Sequence, residues 1–171
     1  GWGTDIELEQ YLRAIFGEEV ALFVDNAGKA VGRAVLLDNP EYAERRLLTI
    51  FSTWGISACM IERGHVLNGR DSLIGEIGHA VISDSVETTC TCGKSGCLES
   101  LVSIKRIRQM LKDAGDEDLG TGEKVTFQSL FAASENGHAL ARTIVGYLAH
   151  CFATVLHNLA LTYNQDTVIF Q

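Results

Sequence analysis

Cys90-Thr-Cys-Gly-Lys-Ser-Gly-Cys97 constrains this chain more than any other stretch: three of its 5 cysteines fall in this run, with His79 upstream. Zinc takes soft or borderline ligands in a closed tetrahedron, and one histidine with three cysteines is a recurring set. Gly93 and Gly96, between the last two cysteines, suit the tight positive-φ turns needed to wrap a small ion. His79, Cys90, Cys92 and Cys97 are therefore expected to bind zinc. Four protein ligands leave no open position on the metal, so the expected role is structural. Cys59 and Cys151 read as buried apolar thiols.

An odd cysteine count clustered with a histidine points to metal and free thiols in a reducing compartment, so a cytoplasmic location is expected. No charged-then-apolar leader opens the chain, and no uninterrupted apolar run reaches membrane-spanning length. A formal net charge of -8 argues against nucleic-acid binding by this segment, because phosphate neutralisation needs a basic face. The chain stops at Thr167-Val-Ile-Phe-Gln171, in what reads as an unfinished strand, so a fragment of a longer protein is expected.

The order of elements is mixed α/β. Thr4 and Glu7 form a capping-box pattern ahead of Ile6, Leu8, Leu12 and Ile15, with Gly17 closing the helix. Val20 to Val24 has strand length. A helix over 27–37 would turn Ala30, Val31, Ala34 and Val35 inward, and Pro40 punctuates the loop after it. Leu47 to Phe51, Ile56 to Ile61 and Val66-Leu67 read as a β-meander. Ser103 is a candidate cap for a helix carrying Ile104, Ile107 and Leu111, followed by helices near 127–133 and 137–163. The last is apolar on most faces and reads as a central buried helix, with His150 and His157 as packing residues. Lys105, Arg106 and Arg108 read as a solvated basic face.

Gly75-Glu-Ile-Gly-His79 followed by the cysteine run and Leu98-Glu99 closely resembles the signature of the ROK family of repressors, open reading frames and sugar kinases. The resemblance covers nearly the whole chain. It implies an α/β lobe of the ribonuclease H-like, actin-like ATPase type, with a β-meander, a long buried helix and a zinc-binding loop. By the same likeness, residues 1–40 correspond to the end of a first lobe and a crossover helix, and 41–171 to a second lobe. Glu76, His79 and Glu99 match residues that bond sugar hydroxyls, and Asp25 and Asn26 fall at the cleft. Read on its own, Glu76 is a surface carboxylate beside a turn, Glu99 a charge capping the following helix, and Asp25-Asn26 equally a strand-end turn or a cap pair.

Family kinases carry Asn-Asp where this chain has Asp25-Asn26, which places an amide at the position of the general base; an amide cannot take that proton. Trp54, in Ser52-Thr-Trp-Gly55, stands where kinases have a glycine-rich phosphate turn. These departures point to the transcriptional-regulator branch and away from an enzyme. The expected partners are a sugar or amino-sugar effector, a second copy in a homodimer, and DNA only through a helix-turn-helix outside this chain. The alternative is part of an ATP-dependent sugar kinase with Asp25 as base.

Overall fold

Two strands of near-continuous apolar sequence, Arg46–Ser52 (β1) and Ile56–Glu62 (β2), form the central hairpin of the computed structural model, which describes residues 7–22, 24–53, 55–84 and 88–171. Leu47 pairs with Ile61 and Thr49 with Cys59 in antiparallel register. A short strand, His65–Val66 (β3), extends the far edge of β2, and Thr167–Phe170 (β4) joins β1 in parallel, giving the order β3-β2-β1-β4. Alternate residues face opposite sides of a sheet. Leu47, Cys59 and Ile61 meet Val35 on one side, while Leu48, Ile50, Ile56 and Ala58 join the larger core on the other. Burial on both sides explains why these strands lack a polar stripe.

Helix α2, Ala27–Asp38, covers the first face; Leu98–Leu101 (α3), Ile104–Asp113 (α4), Phe127–Glu135 (α5) and Ala139–Thr162 (α6) lie on the second. The expected hairpin, the cap at Ser103 and the strand at Thr167 are all present, and of the alternatives open for Asp25-Asn26 the helix cap is seen, at Asn26.

Four expectations change. Helix α1, Leu8–Phe16, starts after Glu7 with no side-chain cap and buries none of its residues; Thr4 and Ile6 lie outside the described residues. The described residues of Val20 to Val24 form no strand, and Val20 and Val24 are exposed: among the described residues the run has no strand beside it with which to build a ladder. The inward face of α2 is Gly28, Lys29, Gly32 and Val35, whereas Ala30 and Ala34 are exposed. A Cβ on Gly32 would stand 2.4 Å from that of Cys59, so close approach to β2, rather than the larger apolar residues, sets the rotation of this helix. Finally, α6 buries a single stripe, Ala141, Ile144, Leu148, Cys151 and Val155. His150 and His157 are exposed, not packed. This 24-residue helix is long and apolar enough to cross a bilayer by length and mean composition, although Arg142 and its polar residues interrupt the apolar run, and its stripe packs into the core beneath the sheet.

Candidate functional site

The chain enters the site through a loop after β3 that must pass close to β2. Gly75 has φ +102, and a Cβ there would stand 1.9 Å from the Ala58 carbonyl oxygen, so only glycine passes. Its carbonyl accepts the Ala58 N–H at 2.7 Å, which fixes the loop to the strand. Glu76 follows, then a 3-10 turn, Ile77–His79, that delivers His79 to the cysteine knuckle.

His79 Nδ1 lies 3.4 Å from Cys90 Sγ, and Cys92 Sγ lies 3.6 Å from Cys97 Sγ. All four candidate ligand atoms fall within 4.8 Å of one another. Metal–ligand bonds of about 2.0–2.3 Å in a tetrahedron place ligand atoms about 3.5–3.8 Å apart, so donor set and spacing both fit zinc. Burial and the adjoining thiols push Cys97 up to about 12, whereas the Lys94 backbone N–H lowers Cys92. A buried thiol such as Cys97 ionises readily only against a cation. The knuckle closes through the Cys90 N–H bond to the Lys94 carbonyl at 2.9 Å and that of Ile82 to Gly96 at 2.9 Å. Gly96 has φ +73 and no room for a side chain, because a Cβ would stand 1.6 Å from the Ser83 carbonyl oxygen.

With Nδ1 turned to Cys90, His79 Nε2 has no hydrogen-bond partner among the described residues. Glu76 Oε1 accepts the Asn26 side-chain amide at 3.1 Å. Asn26 Oδ1 at the same time accepts from Gly28 N at 2.8 Å and Lys29 N at 3.4 Å, capping α2. Glu99, in the first turn of α3, accepts the Ile56 N–H at 2.9 Å and lies against Gly55 and Gly78. Asp25 goes elsewhere: it pairs with Arg33 and accepts the Asn26 N–H. The structure thus joins Asn26 to Glu76 and sets Glu99 against the Gly75–His79 loop, while Asp25 is engaged by an arginine. Trp54 lies outside the described residues.

Lys29 escaped the sequence reading. Only 2% exposed, it donates from Nζ to the Ser72 carbonyl at 2.9 Å and so ties α2 to the same loop a second time. Its one signal was a lysine three residues after a cap, on the side later occupied by glycines. Glu99 also borders two cavities, one apolar and about 590 Å³, the other polar and about 500 Å³.

The ROK family model matches residues 1–171. The chain belongs to the ROK family. A glucokinase of Halalkalibacterium halodurans is 25% identical over 99% of this chain and 53% of its own length. An N-acetylmannosamine kinase of Yersinia pestis is 27% identical over 97% of this chain and 53% of its own. Among solved structures, a ROK family transcriptional regulator, a homologue of the E. coli MLC protein, superposes with a TM-score of 0.80 at 26% identity, covering 93% of this chain and 41% of that one. The chain spans about half the length of the curated ROK relatives it matches. Both regulators and sugar kinases therefore stand among its relatives.

Proposed function

We propose that this chain is the sugar-sensing part of a ROK-type transcriptional regulator, stiffened by a structural zinc ion on His79, Cys90, Cys92 and Cys97. The observation that carries the reading is the division of labour at Asp25-Asn26. The amide caps α2 and holds Glu76, while the neighbouring carboxylate is occupied by Arg33. A kinase needs a free carboxylate beside the attacking hydroxyl; a sensor needs only donors and acceptors in fixed positions. Glu76, Glu99, His79 Nε2 and the Asn26 amide supply these, and Asp25 borders them. A sugar or amino sugar is the ligand class, because its hydroxyls both donate to carboxylates and accept from the amide.

Zinc would contribute rigidity, fixing the histidine ring and placing Glu99 two positions beyond Cys97. In this reading residues 1–40 close a first lobe and supply the crossover helix, residues 41–171 form the second lobe, and the whole protein works as a homodimer. DNA is bound by a segment outside this chain. Ligand affects DNA binding by favouring one arrangement of the lobes.

The kinase relatives support a second reading, part of an ATP-dependent sugar kinase. There Asp25 would have to leave Arg33 and serve as base. Two measurements on the full-length protein separate the readings: a coupled assay with ATP and a panel of hexoses and N-acetylhexosamines, and calorimetry with the same sugars alone. The sensor reading expects sugar binding without turnover; turnover overturns it.

A further inference from the structure

The polar cavity of about 500 Å³ lies between the cysteine knuckle and the start of α4, and among its lining residues are Thr88, Thr91, Lys105 and Arg106, with Glu99 at its border. Neither Lys105 nor Arg106 forms an ion pair among the described residues, although the chain carries 22 acidic residues against 14 basic ones. Arg106 is more than a surface charge. It is half-buried, and its Nε is shut away from solvent beside the Tyr147 hydroxyl, with no charged partner among the described residues. Burial pushes the Tyr147 phenol up while the Arg106 guanidinium opposes that shift, which places the two groups side by side.

A sheltered guanidinium without a counter-charge is costly and normally meets a carboxylate or phosphate. The placement adds to the cost. Lys105 and Arg106 stand in the first turn of α4, which carries no acidic residue, and cations are disfavoured at that end of the helix dipole. An oxyanion in the cavity would relieve both penalties, taking two parallel N–H bonds from the guanidinium. Glu99 does not supply the missing charge, since it forms no ion pair with Arg106 and its Oε2 is held by the Ile56 N–H.

We infer that this cavity is an anion subsite, in which Arg106 and Lys105 receive a phosphate or carboxylate group carried by the ligand. Because Glu99 borders the cavity and also belongs to the candidate sugar contacts, the ligand class narrows to anionic sugars, either phosphorylated or carboxylated. That last step rests on the sugar-sensing reading; the anion site itself does not.

The test uses the full-length protein and begins with inorganic phosphate alone, read by phosphorus NMR line broadening. Broadening is expected for the parent protein and for Arg106→Lys, and strongly reduced in Arg106→Gln and in the exposed-site variant Lys105→Gln. Its absence in the parent, or its persistence in both glutamine variants, overturns the proposal. Calorimetry then compares glucose 6-phosphate and glucuronate with glucose. At least one anionic sugar is expected to bind roughly tenfold more tightly than glucose, with the excess lost in Arg106→Gln. The arm that binds identifies the group as phosphate or carboxylate, and equal affinity for all three sugars overturns the narrowed ligand class. If phosphate binds and every sugar fails, the sugar-sensing reading falls while the anion site stands.

Discussion

Asn26 donates its side-chain amide to Glu76 across 3.1 Å, joining the cap of α2 to a loop fifty residues further along the chain. Aspartate caps a helix as well as asparagine does, so Asn26→Asp keeps the bonds to Gly28 and Lys29 and replaces only the donor facing Glu76. Two facing carboxylates resist joint ionisation. The variant is expected to fall behind the parent by roughly 1 kcal/mol at neutral pH, with the deficit shrinking in acid. Asn26→Ala loses the cap as well, at a cost of about 1 kcal/mol that persists at every pH. Thermal melts from acid to neutral pH check both; a pH-independent difference for Asn26→Asp would show that the Glu76 contact carries no weight.

Metal content is the second expectation. Elemental analysis of purified protein should return one zinc per chain, and a strong chelator should lower the melting temperature, since structural zinc contributes directly to folding. Cys97→Ser, at a fully buried thiol of the cluster, should lose the metal, whereas Cys59→Ser, buried against α2, should keep it. Full zinc occupancy in Cys97→Ser would overturn the ligand assignment.

The two glycines of the knuckle separate backbone strain from crowding. Gly93 has φ +85 with nothing within 4 Å of a built Cβ, whereas Gly96 has φ +73 with the Ser83 carbonyl oxygen at 1.6 Å. Gly93→Ala should therefore cost about 1–2 kcal/mol, from conformation alone. Gly96→Ala must also push two backbone segments apart and should cost at least about 3 kcal/mol. Chemical denaturation of the two zinc-loaded variants gives the comparison, and equal losses would contradict it.

What could be read from the sequence was mostly local. The knuckle declared itself because its cysteines and glycines are neighbours in the chain. The hairpin did so because its strands are apolar runs separated by a short, glycine-bearing turn. The misread elements depend on distant partners. Val20 to Val24 has strand composition but no strand beside it among the described residues, and α2 rotates to seat Gly28 and Gly32 against β2. On α6, the exposed Leu161 is as apolar as the buried Leu148, so periodicity could not say which face the core would take. The bonds from Asn26 to Glu76 and from Ile56 to Glu99 join residues 50 and 43 positions apart, and only the assembled sheet brings them together.

Tyr163 supplies a test of how α6 is tied to the sheet. Its hydroxyl donates to the Ile61 carbonyl at 2.5 Å and approaches that of Leu47 at 3.4 Å, so one phenol at the end of the helix reaches both strands of the hairpin. Burial first, and Glu62 second, push its pKa up to about 12 from the usual 10. A phenol whose folded pKa is raised keeps its proton in the native state after the unfolded chain has begun to lose it. Its contribution to stability is therefore complete below the unfolded value and is lost as pH rises through the folded one. Stability should fall between pH 10 and 12, and Tyr163→Phe should show a shallower fall across that window. Below it, the variant should be less stable by about 1 kcal/mol through loss of the carbonyl bonds. Denaturant melts of both proteins at pH 8, 10 and 11 measure the two effects together; parallel pH curves would mean that the phenol is not the group that titrates.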